Sequence, residues 1–201
     1  MNPKKILFID NFDSFTYNLV DEFEKRGCLV EVYRNSISME KFAEVMKEFE
    51  PNLIVISPGP STPKSAGNII PIIQKYAEKV PLFGVCLGEQ AIIEAFGGVV
   101  DKAPETIHGK PSIVEHDSKG VFKGIPNNFQ VGRYHSLCGT VIPDCLVVSA
   151  RSKSGVVMGV RHKKFFVEGV QFHPESILTP EGGKIIENLL KMLGEKKVGK
   201  K

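Results

Sequence analysis

The stretch PLFGVCLGEQAIIEAFGG, residues 81–98, sets a cysteine between two glycines where a short apolar run gives way to a helical pattern. Residues 81–85 read as a buried strand, and the run that follows reads as a helix ending at Gly97 and Gly98. The chain before it repeats the same alternation. KKILFI (4–9) is strand-like, and SFTYNLVDEFEKRG (14–27) is helical, with Phe15, Leu19 and Phe23 four residues apart and Gly27 as the stop. CLVEVY (28–33) is a second strand, and MEKFAEVMKEFE (39–50) is a second helix behind Ser38 as N-cap. PNLIVIS (51–57) is short, apolar and β-branched, as a strand covered on both faces is, and residues 68–79 read as a further helix.

Strands alternating with helices predict an α/β fold, an open, mostly parallel twisted sheet with helices on both faces. From Pro104 to Gly169 the pattern changes to short strands and turns, including GVVMGVRH (155–162) and KFFVEGVQF (164–172), which predicts a small antiparallel region in the second half. A last helix, PEGGKIIENLLKML (180–193), is entered through Thr179 and Pro180. The sequence shows no internal repeat and no low-complexity linker. Residues 1–193 are expected to form a single domain, and 194–201, GEKKVGKK, a basic flexible tail.

With 201 residues, 42% hydrophobic and 24% charged, the chain suits one well-buried domain. A net charge of +3, with four lysines in the tail, argues against a nucleic-acid partner. The start has no signal-like apolar core, and no run reaches the roughly 18 apolar residues of a membrane span. A cytoplasmic protein with no membrane association is expected. Cys28, Cys86, Cys138 and Cys145 form no CxxC pair, so neither a metal site nor a disulfide framework is predicted.

Ligands of an open parallel sheet sit at the carboxyl ends of its strands, where GVCLG (84–88) lies. This is the shape of a nucleophile elbow: a reactive residue on a tight strand-to-helix turn, with small neighbours that let the backbones approach. The free N–H groups and positive dipole end of the following helix favour a thiolate at Cys86. The pentapeptide alone leaves open a buried cysteine packing as a small hydrophobe. A thiolate nucleophile needs a base, and the base an orienting group. QFHPES (171–176) offers both, because Pro174 biases His173 towards extended geometry that points His173 and Glu175 to the same side. Taken singly, His173 reads better as a surface or satisfied core histidine, and it is the carboxylate two residues on and the elbow cysteine that favour a base. In SPGPST (57–62), Pro58 and Pro60 lack an N–H, which leaves Gly59 as donor on a permissive backbone after a buried strand. With the Leu87 N–H it would form an oxyanion hole; without that pairing the segment is a stiff turn.

SPGPSTP, GVCLGEQ, RYHSL and QFHPES, in that order across most of the chain, resemble the class I, or triad, glutamine amidotransferases. DNFDSFTYNL (10–19), HGK (108–110) and SILTPEG (176–182) look like the branch that serves chorismate-using synthases, most similar to glutaminase components of anthranilate synthases, with those of aminodeoxychorismate synthases next. The resemblance implies a flavodoxin-like sheet and a Cys86–His173–Glu175 triad, with the Gly59 and Leu87 N–H groups as oxyanion hole. It further implies that Pro58, Gly59, Pro60, Gln90, Ser136 and Leu137 line the site for L-glutamine. Cys86 would attack the side-chain amide, His173 would protonate the leaving ammonia, and water would hydrolyse the thioester to glutamate. It implies no cofactor in this chain, the magnesium of the family belonging to the partner, a chorismate-binding anthranilate synthase large subunit. That subunit would use the ammonia to make anthranilate for tryptophan synthesis. The folate counterpart, or a subunit shared by both pathways, is the alternative.

Many relatives carry histidine where this chain has Glu89, one helical turn beyond Cys86. A carboxylate facing the thiolate would slow attack, so Glu89 is expected to turn away, towards a subunit surface. Two readings from other classes are weaker. A cysteine hydrolase of similar architecture commonly has histidine where Leu87 stands, and a silent regulatory subunit has no need of Cys86, His173 and Glu175 together.

Overall fold

The computed structural model describes residues 2–195. Its first half alternates as the sequence does: β1 (Lys5–Asp10), α1 (Thr16–Glu24), β2 (Leu29–Arg34), α2 (Met39–Phe49), β3 (Leu53–Ile56), α3 (Ile69–Tyr76), β4 (Leu82–Val85) and α4 (Leu87–Ala95). Ser38 caps α2, its hydroxyl accepting the Lys41 N–H at 3.1 Å. Successive strand side chains point to opposite faces, which divides the interior in two. Ile6 and Phe8 of β1, Leu53 and Val55 of β3, and Phe83 and Val85 of β4 join Leu19 and Phe23 of α1 in one core. Leu7, Ile9, Ile54, Ile56 and Leu82 join residues of α2, α3 and α4 in the other. Helices therefore cover both faces.

The second half adds β5 (Val99–His116), β6 (Phe129–Val141), β7 (Leu146–Ser152), β8 (Val157–His162), β9 (Val167–Val170) and α5 (Gly182–Glu195), which packs Ile185, Ile186 and Leu189 into the α1 core. The nine strands of the described residues form one sheet in the order β2-β1-β3-β4-β9-β8-β7-β5-β6. The first five run parallel, the flavodoxin-like order for five parallel strands, and β8, β7, β5 and β6 extend it with antiparallel pairings. The antiparallel strands thus continue the main sheet.

Two expectations are corrected here. Pro104 does not open a region of short strands but lies inside the 18-residue β5, at a register break between Lys102 and Ile107. A proline lacks the N–H that a ladder requires, so the break is where a long ribbon tolerates one. The last helix begins at Gly182, not at Pro180, and runs through Gly194 and Glu195, where a tail was expected. Residues 196–201 lie outside the described residues. Gly182 is required by close approach, because a Cβ there would overlap the Pro174 carbonyl oxygen. The start of α5 therefore braces the loop that carries His173. No helix of the described residues is long and apolar enough to cross a membrane.

Candidate active site

The loops after β1, β3, β4 and β9 meet at the carboxyl edge of the parallel strands, and each contributes to one site. After β4 the chain turns into α4 through Cys86, at φ 54° and ψ −105°. A side chain in the left-handed region costs about 1–3 kcal/mol and persists only where its surroundings over-determine it. Here Gly84 and Gly88 do so. A Cβ on Gly84 would lie 2.5 Å from the Gly88 carbonyl, and one on Gly88 would overlap the Ile56 carbonyl oxygen of β3. The elbow is also tied to β9, since the Cys86 N–H donates to the Val170 carbonyl at 2.8 Å.

Three residues past β9 stands His173. Its N–H donates to the Gly132 carbonyl at 3.2 Å, and its own carbonyl accepts the Thr179 hydroxyl at 2.7 Å. The rings of Tyr134 and Phe15 flank the imidazole at 4.9 and 5.8 Å. His173 Nδ1 lies 2.6 Å from Glu175 Oε1. The two side chains do meet, but not along an extended segment: residues 173–176 form a turn, closed by the Ser176 N–H on the His173 carbonyl, with Pro174 at the position where its fixed φ suits a turn. The other ring nitrogen, Nε2, is buried without a hydrogen-bond partner, and the imidazole as a whole interacts with the Cys86 thiol. Burial opposes a charge on this imidazole, yet hydrogen bonding and charge from Cys86 and Glu175 hold its proton affinity well above the usual histidine range. The three groups form a Cys–His–Glu constellation, sheltered rather than set in a wet cleft: Cys86, His173 and the Glu175 side chain are all buried.

Gly59, after β3, touches the elbow directly. A Cβ on it would overlap Asn11 Cβ and lie 2.8 Å from Leu87 Cδ2, so glycine is demanded by packing between the β1 loop and α4. Its φ lies outside the left-handed region, so packing rather than backbone freedom requires glycine here. Pro58 is buried and Pro60 exposed. Gln90, one turn along α4, donates through Nε2 to the Leu137 carbonyl at 3.1 Å and to Gln171 Oε1 at 2.9 Å, which joins α4 to the 135–137 segment of β6. Ser136 shares with Tyr134 the strand face that packs on His173.

Several participants were not singled out in the sequence. Arg133 is buried, donating through Nε to His135 Nε2 at 2.9 Å and pairing with Glu105 at 3.1 Å. His135 is neutral: burial lowers its pKa to about 4, and Nδ1, 2.8 Å from the Leu137 carbonyl, carries the proton while Nε2 accepts. Asp13 lies in the field of His173 and Glu175, with burial raising its pKa despite the Phe15 N–H bonded to it. Arg133 and His135 lie inside RYHSL and Asp13 inside DNFDSFTYNL, but nothing local in those motifs marks them as buried groups beside the triad.

Glu89 corrects an expectation. It does turn away, but into the interior rather than to a surface: it is 0% exposed, packed on Gly169 of β9, with both carboxyl oxygens unpartnered. Burial raises its pKa to about 8, so it is neutral at neutral pH. Among the described residues no group of three or more His, Cys, Asp or Glu could hold a metal ion.

An α/β sheet with a cysteine elbow and a histidine–carboxylate pair at one edge defines a thiol-dependent acyl-transfer protein. The class-I glutamine amidotransferase family matches residues 7–193, and this chain belongs to that family. It is 51% identical over 180 residues to anthranilate synthase component 2 of Methanocaldococcus jannaschii, covering 89% of this chain and 88% of that protein. It is 49% identical over 195 residues to a multifunctional tryptophan biosynthesis protein of Pichia angusta, covering 95% of this chain; the chain spans about half, 52%, of that fungal protein. In fold it is similar to a Thermoplasma acidophilum crystal structure provisionally described as a GMP synthase subunit, with a TM-score of 0.87 over 98% of both chains and 24% identity.

Proposed function

We propose that this chain is the glutaminase component of an anthranilate synthase, releasing ammonia from L-glutamine for a chorismate-binding large subunit. The observation that carries the reading is the His173–Glu175 pair at 2.6 Å facing the strained Cys86 elbow. Cys86 Sγ attacks the side-chain amide carbon while its proton passes to His173 Nε2, and Glu175 steadies the imidazolium through Nδ1. The Gly59 and Leu87 N–H groups receive the oxyanion. As the tetrahedral adduct collapses, His173 gives its proton to the leaving nitrogen, and ammonia departs from a Cys86 thioester. Water, deprotonated by His173, then attacks the same carbon, and glutamate leaves as the Cys86 thiol is restored. Pro58, Pro60, Gln90, Ser136 and Leu137 line the glutamine site.

Neither half-reaction needs a metal or cofactor from this chain, and the magnesium implied by the resemblance is assigned to the partner. The family match over 7–193 supports reading residues 1–193 as one amidotransferase domain, and we read the protein as cytoplasmic. The names of the relatives favour anthranilate synthase over the folate counterpart.

The test is to titrate the purified chain, with chorismate present, with an anthranilate synthase large subunit while following glutamate release. Weak hydrolysis alone and strong stimulation by the complex are expected. Full activity alone, with no response to that partner, would make a stand-alone glutamine hydrolase the better reading.

A further inference from the structure

The loop that brings Gly59 to the elbow is held by buried polar groups that the reaction itself does not use. Asn11, just past β1, donates its backbone N–H to Ser57 Oγ at 2.9 Å and its side-chain amide to the Ser57 carbonyl at 2.8 Å. Asn35, past β2, fixes the other end of that amide, its Nδ2 donating to Asn11 Oδ1 at 2.9 Å. All three residues are buried. Oxygen and nitrogen of the Asn11 amide are thereby distinguished, since only one orientation satisfies both partners. With one lone pair taken by Asn11, the Ser57 hydroxyl sends its single hydrogen to the Pro58 carbonyl at 2.7 Å. That carbonyl belongs to the Pro58–Gly59 peptide, whose N–H is the oxyanion donor of the proposed function.

A peptide is planar and trans, so a carbonyl turned inward onto Ser57 turns the Gly59 N–H outward. Gly59 is half-buried where Ser57 and Pro58 are buried, and it lies against Leu87 of the elbow, the second donor. We infer that Ser57 and Asn11 are positioning residues that lock the Pro58–Gly59 peptide with its N–H towards the elbow, so that the oxyanion hole stands assembled before substrate arrives. The inference rests on the proposed glutaminase reaction. A flip of this peptide, by a partner or otherwise, has to break the Ser57–Pro58 bond.

The experiment compares two reactions of Cys86. Glutamine turnover passes through an oxyanion, whereas alkylation by iodoacetamide displaces iodide from a saturated carbon and has none. Ser57→Ala and, independently, the isosteric Asn11→Asp, which replaces the donor to the Ser57 carbonyl by an oxygen, are compared with the unaltered protein in its complex with chorismate and the large subunit. Expected for Ser57→Ala is a fall in kcat for glutamate release of about a hundredfold, with KM changed by less than about threefold. Iodoacetamide labelling of Cys86, resolved by peptide mass spectrometry, stays within about twofold. Asn11→Asp shows the same split with a smaller loss, and Ser57→Thr, which keeps the hydroxyl, recovers turnover that Ser57→Val does not. Unchanged or increased kcat overturns the inference, as does a parallel loss of turnover and labelling. Failure of both Ser57→Ala and Asn11→Asp to fold would make the pair structural and overturn it too. If the unaltered complex releases no glutamate, the functional reading fails, whatever Ser57 does.

Discussion

Glu175 and Glu89 are both carboxylic acids with buried side chains, and their surroundings assign them opposite work. Glu175 has a partner in His173 Nδ1, so its charge is useful where it is. His173→Ala should reduce glutamine turnover to near background, while Glu175→Gln should leave a measurable remainder, since the imidazole keeps a neighbour but loses tautomer control. Steady-state glutamate release from the complex checks this, and an unchanged rate in Glu175→Gln would remove that residue from the triad. Glu89 has no partner, and its folded pKa is raised from 4.5 to about 8 by burial. Between those values the folded chain holds a proton that the unfolded chain has released, so stability is fully present below the lower value and is lost as pH rises towards the higher. Glu89→Gln abolishes that loss. Urea denaturation should show the variant more stable by a few kcal/mol, roughly 2–4, near pH 8.5, and by little near pH 4.5. An equal difference at both would mean the carboxyl is not held protonated. Glu168, raised to about 8 mainly by burial and eased by Arg161, adds a slope of the same sign that both proteins share.

At the scale of the elements, the elbow works because α4 starts closer to the sheet than side chains normally allow. Gly88 has no room for a Cβ against the Ile56 carbonyl, whereas Gly97, at the other end of α4, has nothing within 4 Å but a φ of 92°. These two glycines therefore separate packing from backbone freedom. Gly88→Ala should push α4 off β3, displace Cys86 and cut turnover by about a hundredfold or more, as misplacement of about 1 Å does. It should also destabilise by about 1–3 kcal/mol. Gly97→Ala should cost about 1–2 kcal/mol for its left-handed backbone and leave turnover intact. Denaturation midpoints and kcat measured on both variants check the contrast, and equal turnover in the two would deny the elbow its packing requirement.

Across the whole molecule, the site edge also carries much of the exposed apolar surface. Phe12 is 58% exposed after β1, Tyr17 62% at the start of α1, and Ile177, two residues past Glu175, 95%. If ammonia is handed to a second subunit, that subunit must cover this edge. Ile177→Lys should then weaken stimulation of glutamate release by the large subunit by about tenfold or more, while the isolated chain's basal rate stays unchanged. Retention of full stimulation would place the contact elsewhere.

What the sequence determined by itself was carried by local chemistry. β-branched runs and helical spacing specified β1 to α4, because alternation and capping are properties of neighbouring residues, as Ser38 on Lys41 shows. Three short motifs in a set order marked Gly59, Cys86, His173 and Glu175, because each places its groups in the loop that follows a strand. Other features depended on partners far along the chain and became visible only in the tertiary structure. Pro104 looked like a boundary because a ladder break is defined by the opposite strand, here β6. Glu89 looked like a surface group because burial under β9 is contributed by Gly169, eighty positions away by number. Asn11 and Ser57, separated by 46 residues, carry no pattern of their own, and parallel pairing of β1 with β3 alone brings their hydrogen bonds together. The sequence thus determined which groups could react, and the sheet order decided which of them meet and what holds them there.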